Sequence, residues 1–140
     1  MKTEQTAIKP ADLRVGNIAN RKYFNPEPNK ENWALEPVVV CAININGFNV
    51  KLKNGGNSVV DYLEGIPLTG EWLKKFGLNY LQNACWELGS MRIYNLSDDE
   101  NSRFRITLAG NELVIINYVH QIQNLFHSLT QKELCLNDSI

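Results

Sequence analysis

Apolar and polar positions in the first half of this 140-residue chain alternate with the period of strands, broken often by turn residues. "DLRVGNIANRKYF" places Leu13, Val15 and Ile18 around a Gly-Asn pair and predicts a first strand with a kink. "NPEPNKENWALEP" (25–37) carries three prolines and three asparagines and predicts a loop. Val38 to Ile45 is a largely β-branched run, and Asn46-Gly47 is a hairpin turn signal. Phe48, Val50 and Leu52 then alternate with Asn49, Lys51 and Lys53. "NGGN" (54–57) predicts the next turn, and Val59, Val60 and Tyr62 open another strand. So many short strands in about 55 residues curl rather than stay flat, which predicts a small SH3-like or OB-like β-barrel over 12–66.

The second half, 67–140, mixes both periods. "IPLTGEWLKKFGL" (66–78) predicts a short linking helix: Thr69 caps it, Glu71 lies in its first turn, Lys74 and Lys75 near its last, and Gly77 offers a left-handed exit. "WELGSMRIYNL" and "SRFRITLAGNELVII" predict a three-stranded antiparallel meander with turns at "SDDEN" and "AGNE". Asn117 is the expected cap of a final helix, and "KELCL" is a candidate short returning strand. The expected class is therefore α+β, one domain in two subregions: the barrel-like sheet, then helix, meander and closing C-terminal helix. The expected interior comprises Val15, Val39, Val50, Leu52, Trp72, Phe76, Ile106, Leu113, Ile115, Ile122, Phe126 and Leu129.

Both histidines of the chain, His120 and His127, fall in the last helix. At ~100° per residue, Tyr118, Val119, Ile122, Leu125, Phe126 and Leu129 share one apolar arc, which is the expected buried face. His120, Asn124 and His127 lie nearly opposite it. Seven helical residues separate the two histidine Cα atoms by ~10.5 Å. Helical zinc pairs use i,i+4 spacing instead, and no acidic residue lies between Asn117 and Lys132 to complete a site. The histidines are expected on a solvated or partner-facing surface, with no metal, cofactor or catalytic role.

Other candidates weigh less. Asp98, Asp99 and Glu100 lack calcium-loop spacing, and "KNGGNS" leads into a strand rather than the helix a phosphate loop needs. Cys41 and Cys135 fit small buried hydrophobes, Cys85 is open, and three scattered cysteines make no disulfide framework. No catalytic residue is assigned. The net charge of −1 argues against bulk attraction to polyanions. The halves differ mildly, +3 over residues 1–60 and −4 over 61–140. If Phe48, Val50 and Leu52 point inward, Lys51 and Lys53 point outward. With Arg14, Arg21 and Lys22, and Tyr23, Phe24 or Trp33 nearby, they make a candidate face for single-stranded nucleic acid. Trp72 and Trp86 are expected to anchor helix to sheet.

"LRVGN", "IPLTGEWLKKFGL" and "YVHQIQNLFHSLTQKEL" together resemble a family of small uncharacterised proteins of phages, prophages and mobile elements of Bacteroides-type bacteria. Its pattern runs LR-x-GN, IPLTEEWL-x-KFGF and YVHQLQNLYFALTGEEL, in the same order and over most of the chain. Gly70 departs from the glutamate usual after Thr69, and the 25–37 loop is long. The resemblance implies a bacterial or phage cytoplasmic setting and lends no residue a role. It also recommends His120, Gln123, Asn124 and His127 as a docking face.

The function expected from all this is a non-catalytic, phage- or mobile-element-encoded binding or adaptor protein, regulatory or defence-related, with a protein partner. The alternatives are a single-stranded nucleic-acid-binding barrel, and a small-ligand-binding protein or enzyme with its site at the junction of the halves. No apolar run is long enough for a membrane helix, no secretory signal opens the chain, and exposed edge strands would suit a homodimer.

Overall fold

A computed structural model of the chain describes residues 8, 12–24, 33–44, 49–97, 101–134 and 136. The fold is mostly antiparallel β with two sheets, one curled into a half-barrel, and a C-terminal helix. The chain divides into two compact units between Ile66 and Pro67.

In the first unit the strands are β1 (Ile18–Phe24), β2 (Trp33–Ile43), β3 (Asn49–Leu52), β4 (Asn57–Val59) and β5 (Leu63–Glu64), in spatial order β4-β3-β2-β1-β5. A single 3-10 turn, Val60–Tyr62, leads into β5. The chain reaches β1 through a tight turn built from "LRVGN". Asn17 N–H donates to the Arg14 carbonyl at 3.0 Å, and Gly16 takes φ +98°, the left-handed setting a type II turn demands at its third position. The Asn17 side chain is wholly buried, and its Oδ1 accepts the Arg14 N–H at 2.6 Å. This turn displaces Val15 outward, to 49% exposure, so it does not join the interior as its alternation implied.

β2 begins at Trp33, inside the stretch expected as loop, and pairs with β1 from Phe24↔Trp33 to Ile18↔Val39. Pro37 is tolerated there because β3 pairs with β2 only from Val40 onward, so among the described residues no strand on that side needs its missing N–H. A register shift between Val40 and Ala42 turns Cys41 out to solvent, so it is not the buried hydrophobe expected. The Asn46-Gly47 turn lies outside the described residues. At the "NGGN" turn, Gly55 has φ +94° and the Asn54 carboxamide accepts the Gly56 N–H at 2.9 Å. Val50 and Leu52 point inward with Leu13, Ala19, Val38, Val40, Val60 and Leu63, forming the core of the unit.

The second unit opens with α1 (Gly70–Lys75). Thr69 Oγ1 accepts the Trp72 N–H at 3.3 Å, and Gly77 (φ +86°) ends the element. β6 (Asn79–Tyr80), β7 (Cys85–Leu88), β8 (Met91–Asn95), β9 (Phe104–Leu108) and β10 (Asn111–Ile116) follow in meander order. "WELGSMRIYNL", expected as one strand, is two. Leu88 pairs with Met91 across Gly89-Ser90, with Gly89 at φ +61°, the position where a two-residue hairpin favours glycine. Met91, Ile93, Phe104, Ile106 and Ile116 are buried.

Two further interior expectations fail on β10: Leu113 and Ile115 are 43% and 42% exposed, because β10 is a sheet edge. In the turn between β8 and β9, Asp98, Asp99 and Glu100 lie outside the described residues. Residues 131–134 form no strand, and Cys135 lies outside the described residues. Trp72, Val39 and Phe126 are half-buried.

α2 (Val119–Thr130) is capped differently from the expectation. Tyr118, not Asn117, is the N-cap, and Gln121 Oε1 reaches back to accept the N–H of both Tyr118 (3.0 Å) and Asn117 (2.7 Å). Asn117 instead ties together neighbouring segments, its carbonyl accepting from Leu68 N–H and its Nδ2 donating to the Ser102 carbonyl. The buried residues of α2 are Val119, His120, Ile122 and Gln123. The inward face is thus rotated toward His120, which is 5% exposed and stacks on the Tyr118 ring (centroids 5.9 Å, 12°). Leu129 moves out to 43% exposure. The expectation of a wet face is corrected for His120, while Asn124 and His127 of that face stay half-exposed. No helix among the described residues is long and apolar enough to cross a membrane.

Candidate binding groove

The sequence-derived basic face is split by the fold. Arg21, Lys22 and Tyr23 of β1 line an open groove of about 670 Å³, joined by Asn44, by Asn49 of β3, by Asn57, Ser58 and Val59 of β4, and by Tyr62. Lys51 and Lys53 are exposed as the alternation of β3 implies, and lie outside it. Arg14 also lies outside the groove, its Nη1 donating to the Val15 carbonyl at 3.1 Å. The side chains of Phe24 and Trp33 lie outside the described residues.

The groove exists because the half-barrel does not close. β4 ends one side of the sheet, and on the other side β5 pairs only with Asn20 and Arg21 of β1. Among the described residues no strand pairs with Lys22–Phe24 on that side. Curling brings β4 together with Lys22 and Tyr23 of β1 along one groove. Among the described residues, two strand edges with backbone N–H and C=O groups left by the sheet therefore border the same space.

Chemistry changes along β1 for a simple reason. Ala19, opposite Val38, is wholly buried. Two residues on, the same face carries Arg21, opposite Glu36 and beside Leu63, and then Tyr23. The concave face is apolar at its base and polar at its mouth. Arg21 Nη2 lies 2.6 Å from Glu36 Oε1, and Lys22 Nζ lies 3.0 Å from Glu64 Oε1. Each cation thus has its own carboxylate, which leaves the mouth polar and close to neutral. The turn before β4 lies against the Arg21 guanidinium: a Cβ at Gly56 would meet Nη1 at an ordinary contact distance of 3.6 Å.

Sequence reasoning found Arg21, Lys22 and Tyr23 but missed Asn44, Asn49, Asn57, Ser58, Val59 and Tyr62. Asn44 and Asn49 read as outward strand positions and Asn57 as part of a turn, and only the curl of the sheet gathers these strand ends along one groove. Of the proposed docking residues on α2, His120 and Gln123 are buried, while Asn124 and His127 are half-exposed. A second, smaller depression of about 440 Å³ on the meander involves Glu87, Arg92 and Tyr94. Arg92 is 3.7 Å from Glu87, and Arg105 sits over the Tyr94 ring at 5.1 Å. Among the described residues, no cluster of three His, Cys, Asp or Glu side chains could hold a metal ion. No protein-family model, curated protein or solved structure matches the chain.

Proposed function

We propose that the protein is a non-catalytic binding module whose first unit is a small SH3-like barrel that takes an extended polypeptide segment of a protein partner into its groove. The SH3-like assignment is favoured over the OB-like one by the strand order, in which the last strand returns beside the first after a single 3-10 turn. The observation that carries the binding reading is the pair of strand edges, β4 and Lys22–Phe24, bordering one groove. An extended segment laid between them gains main-chain hydrogen bonds from either edge. Tyr23 and Tyr62 supply rigid contact area, and the asparagine carboxamides pair with peptide groups that the edges leave over. The resemblance to phage and mobile-element proteins supports an adaptor role in that setting.

Single-stranded nucleic acid is the second reading, favoured by two tyrosines beside two cations in one groove. It ranks lower because phosphates would have to displace Glu36 from Arg21 and Glu64 from Lys22. Selection of peptides from a random displayed library against the whole protein tests both readings, with Tyr23→Ala and Tyr62→Ala as controls. The expected result is enriched peptides whose affinity falls at least tenfold in both variants. Failure to enrich any peptide, together with oligonucleotide binding that weakens steeply with salt, would replace the first reading by the second.

A further inference from the structure

Among the described residues, the groove of the first unit is lined by two cations and no acid. Arg21 and Lys22 border it, while Glu36 and Glu64, the carboxylates that hold them, lie outside the lining. The pairs are close, 2.6 Å for Arg21 with Glu36 and 3.0 Å for Lys22 with Glu64, and both are sheltered in part. Arg21 Nε and Glu36 Oε1 are shut off from solvent, and the Glu64 side chain is 16% exposed. The rest of the lining is uncharged, with Asn44, Asn49, Asn57, Val59 and Tyr62 exposed along it.

We infer that the segment taken into this groove is itself uncharged where it touches the lining, carrying amide or hydroxyl side chains together with an apolar or aromatic one. This rests on the reading of the groove as a site for an extended polypeptide and names the chemistry of its partner. An acidic residue would meet cations that are already neutralised. To pair with Arg21 it must stand beside Glu36 or draw the guanidinium away, and either course leaves a carboxylate without its full partner. The same holds at Lys22, where Glu64 is the more buried member. A lysine or arginine is turned away for the opposite reason, because the cations stand at the lining and their carboxylates outside it. Neutral side chains avoid both costs. Each asparagine carboxamide offers two donor hydrogens and an acceptor oxygen, which match a peptide group or another carboxamide. Tyr23, Tyr62 and Val59 supply contact area for an apolar or aromatic residue. A strand of nucleic acid, charged at every residue, fits this lining least.

Three displayed libraries of short random peptides test the inference when panned in parallel against the whole protein. One holds uncharged residues only, one adds Asp and Glu, and one adds Lys and Arg. Loss of binding to Tyr23→Ala marks the peptides that use the groove. The uncharged library is expected to yield groove binders, and the other two to yield binders that are no tighter and are depleted of charge. Their Kd should change less than about twofold between about 0.1 M and about 1 M salt, although the screening length falls from ~10 Å to ~3 Å. Glu36→Gln and Glu64→Gln, which unpair Arg21 and Lys22, should each turn the preference toward acidic peptides, bound about tenfold tighter than by the wild type. Wild-type groove binders that are acidic or basic and weaken with salt overturn the inference while keeping the groove reading. So do glutamine variants that both retain the wild-type preference. Three libraries without a groove binder overturn the inference and the groove reading together.

Discussion

Gly70 is backed against the Trp86 indole: a Cβ at position 70 would lie 3.1 Å from Cζ2 of that ring. The Trp86 ring is held on its other contact by Tyr80, edge to face at 4.9 Å between centroids. Glycine in the first turn of α1 thus exchanges helix propensity for close packing of helix on sheet. Gly70→Ala is expected to destabilise by about 1 kcal/mol, the cost of modest overpacking, although alanine is the better helix former. In a Trp86→Leu background the same change should become neutral or stabilising. Urea titrations of the four proteins in this cycle check the coupling.

That packing also explains a feature of the sequence that local reasoning could describe but not interpret. Around α1 the sequence was transparent: Thr69 caps, Gly77 exits, and the apolar side of the helix is as spaced. Gly70 alone departed from a good helix start, and its reason lies sixteen residues away on β7. The same limit appears elsewhere. Alternation identified Val50 and Leu52 as core because their strand lies within a sheet. It failed for Leu113 and Ile115 because alternation cannot say which strand ends a sheet. On α2 it placed His120 outside, whereas the inward face is rotated toward His120 and Gln123. The groove was legible only as Arg21, Lys22 and Tyr23, because its far wall needs the curl of the sheet.

The edge position of β10 has a direct energetic consequence. Leu113→Ala and Ile115→Ala are expected to change the unfolding free energy by less than about 0.5 kcal/mol in dilute monomer. Ile106→Ala, on the neighbouring strand and wholly buried, should cost about 2–5 kcal/mol. Equilibrium denaturation of the three variants distinguishes an edge from a core strand.

The turn that launches β1 depends on two adjacent residues for different reasons. Asn17→Ala removes a wholly buried side chain and leaves the part-buried Arg14 N–H without that acceptor, and should cost about 1–3 kcal/mol. Gly16→Ala forces a Cβ into φ +98° and should cost about 1–2 kcal/mol. Both are measured by thermal unfolding, where Val15→Ala, on the exposed position of the same turn, serves as the neutral control.

The ends of α2 allow a stabilising change as well as a damaging one. Gln121→Ala removes the acceptor shared by two N–H groups and should cost about 1 kcal/mol. Gln121→Glu keeps the acceptor and adds a negative charge beside the helix N-terminus, so it should equal or exceed the wild type by a few tenths of a kcal/mol. Gln131 ends the helix at φ +61°, and Gln131→Gly should raise stability by about 0.4–1 kcal/mol by relieving that left-handed setting. Melting temperatures of the three variants read out both signs.

The groove between β4 and the far half of β1 is tested most directly by amide NMR of the isotopically labelled protein, titrated with a peptide selected against it. Binding between the two edges should shift the backbone amides of Arg21–Tyr23 and Asn57–Tyr62. It should also slow hydrogen exchange at Lys22, Tyr23 and Phe24, whose outer side no described strand covers. A peptide that binds tightly while leaving those amides unmoved, and shifts residues elsewhere instead, would contradict the assignment of the groove as the binding site.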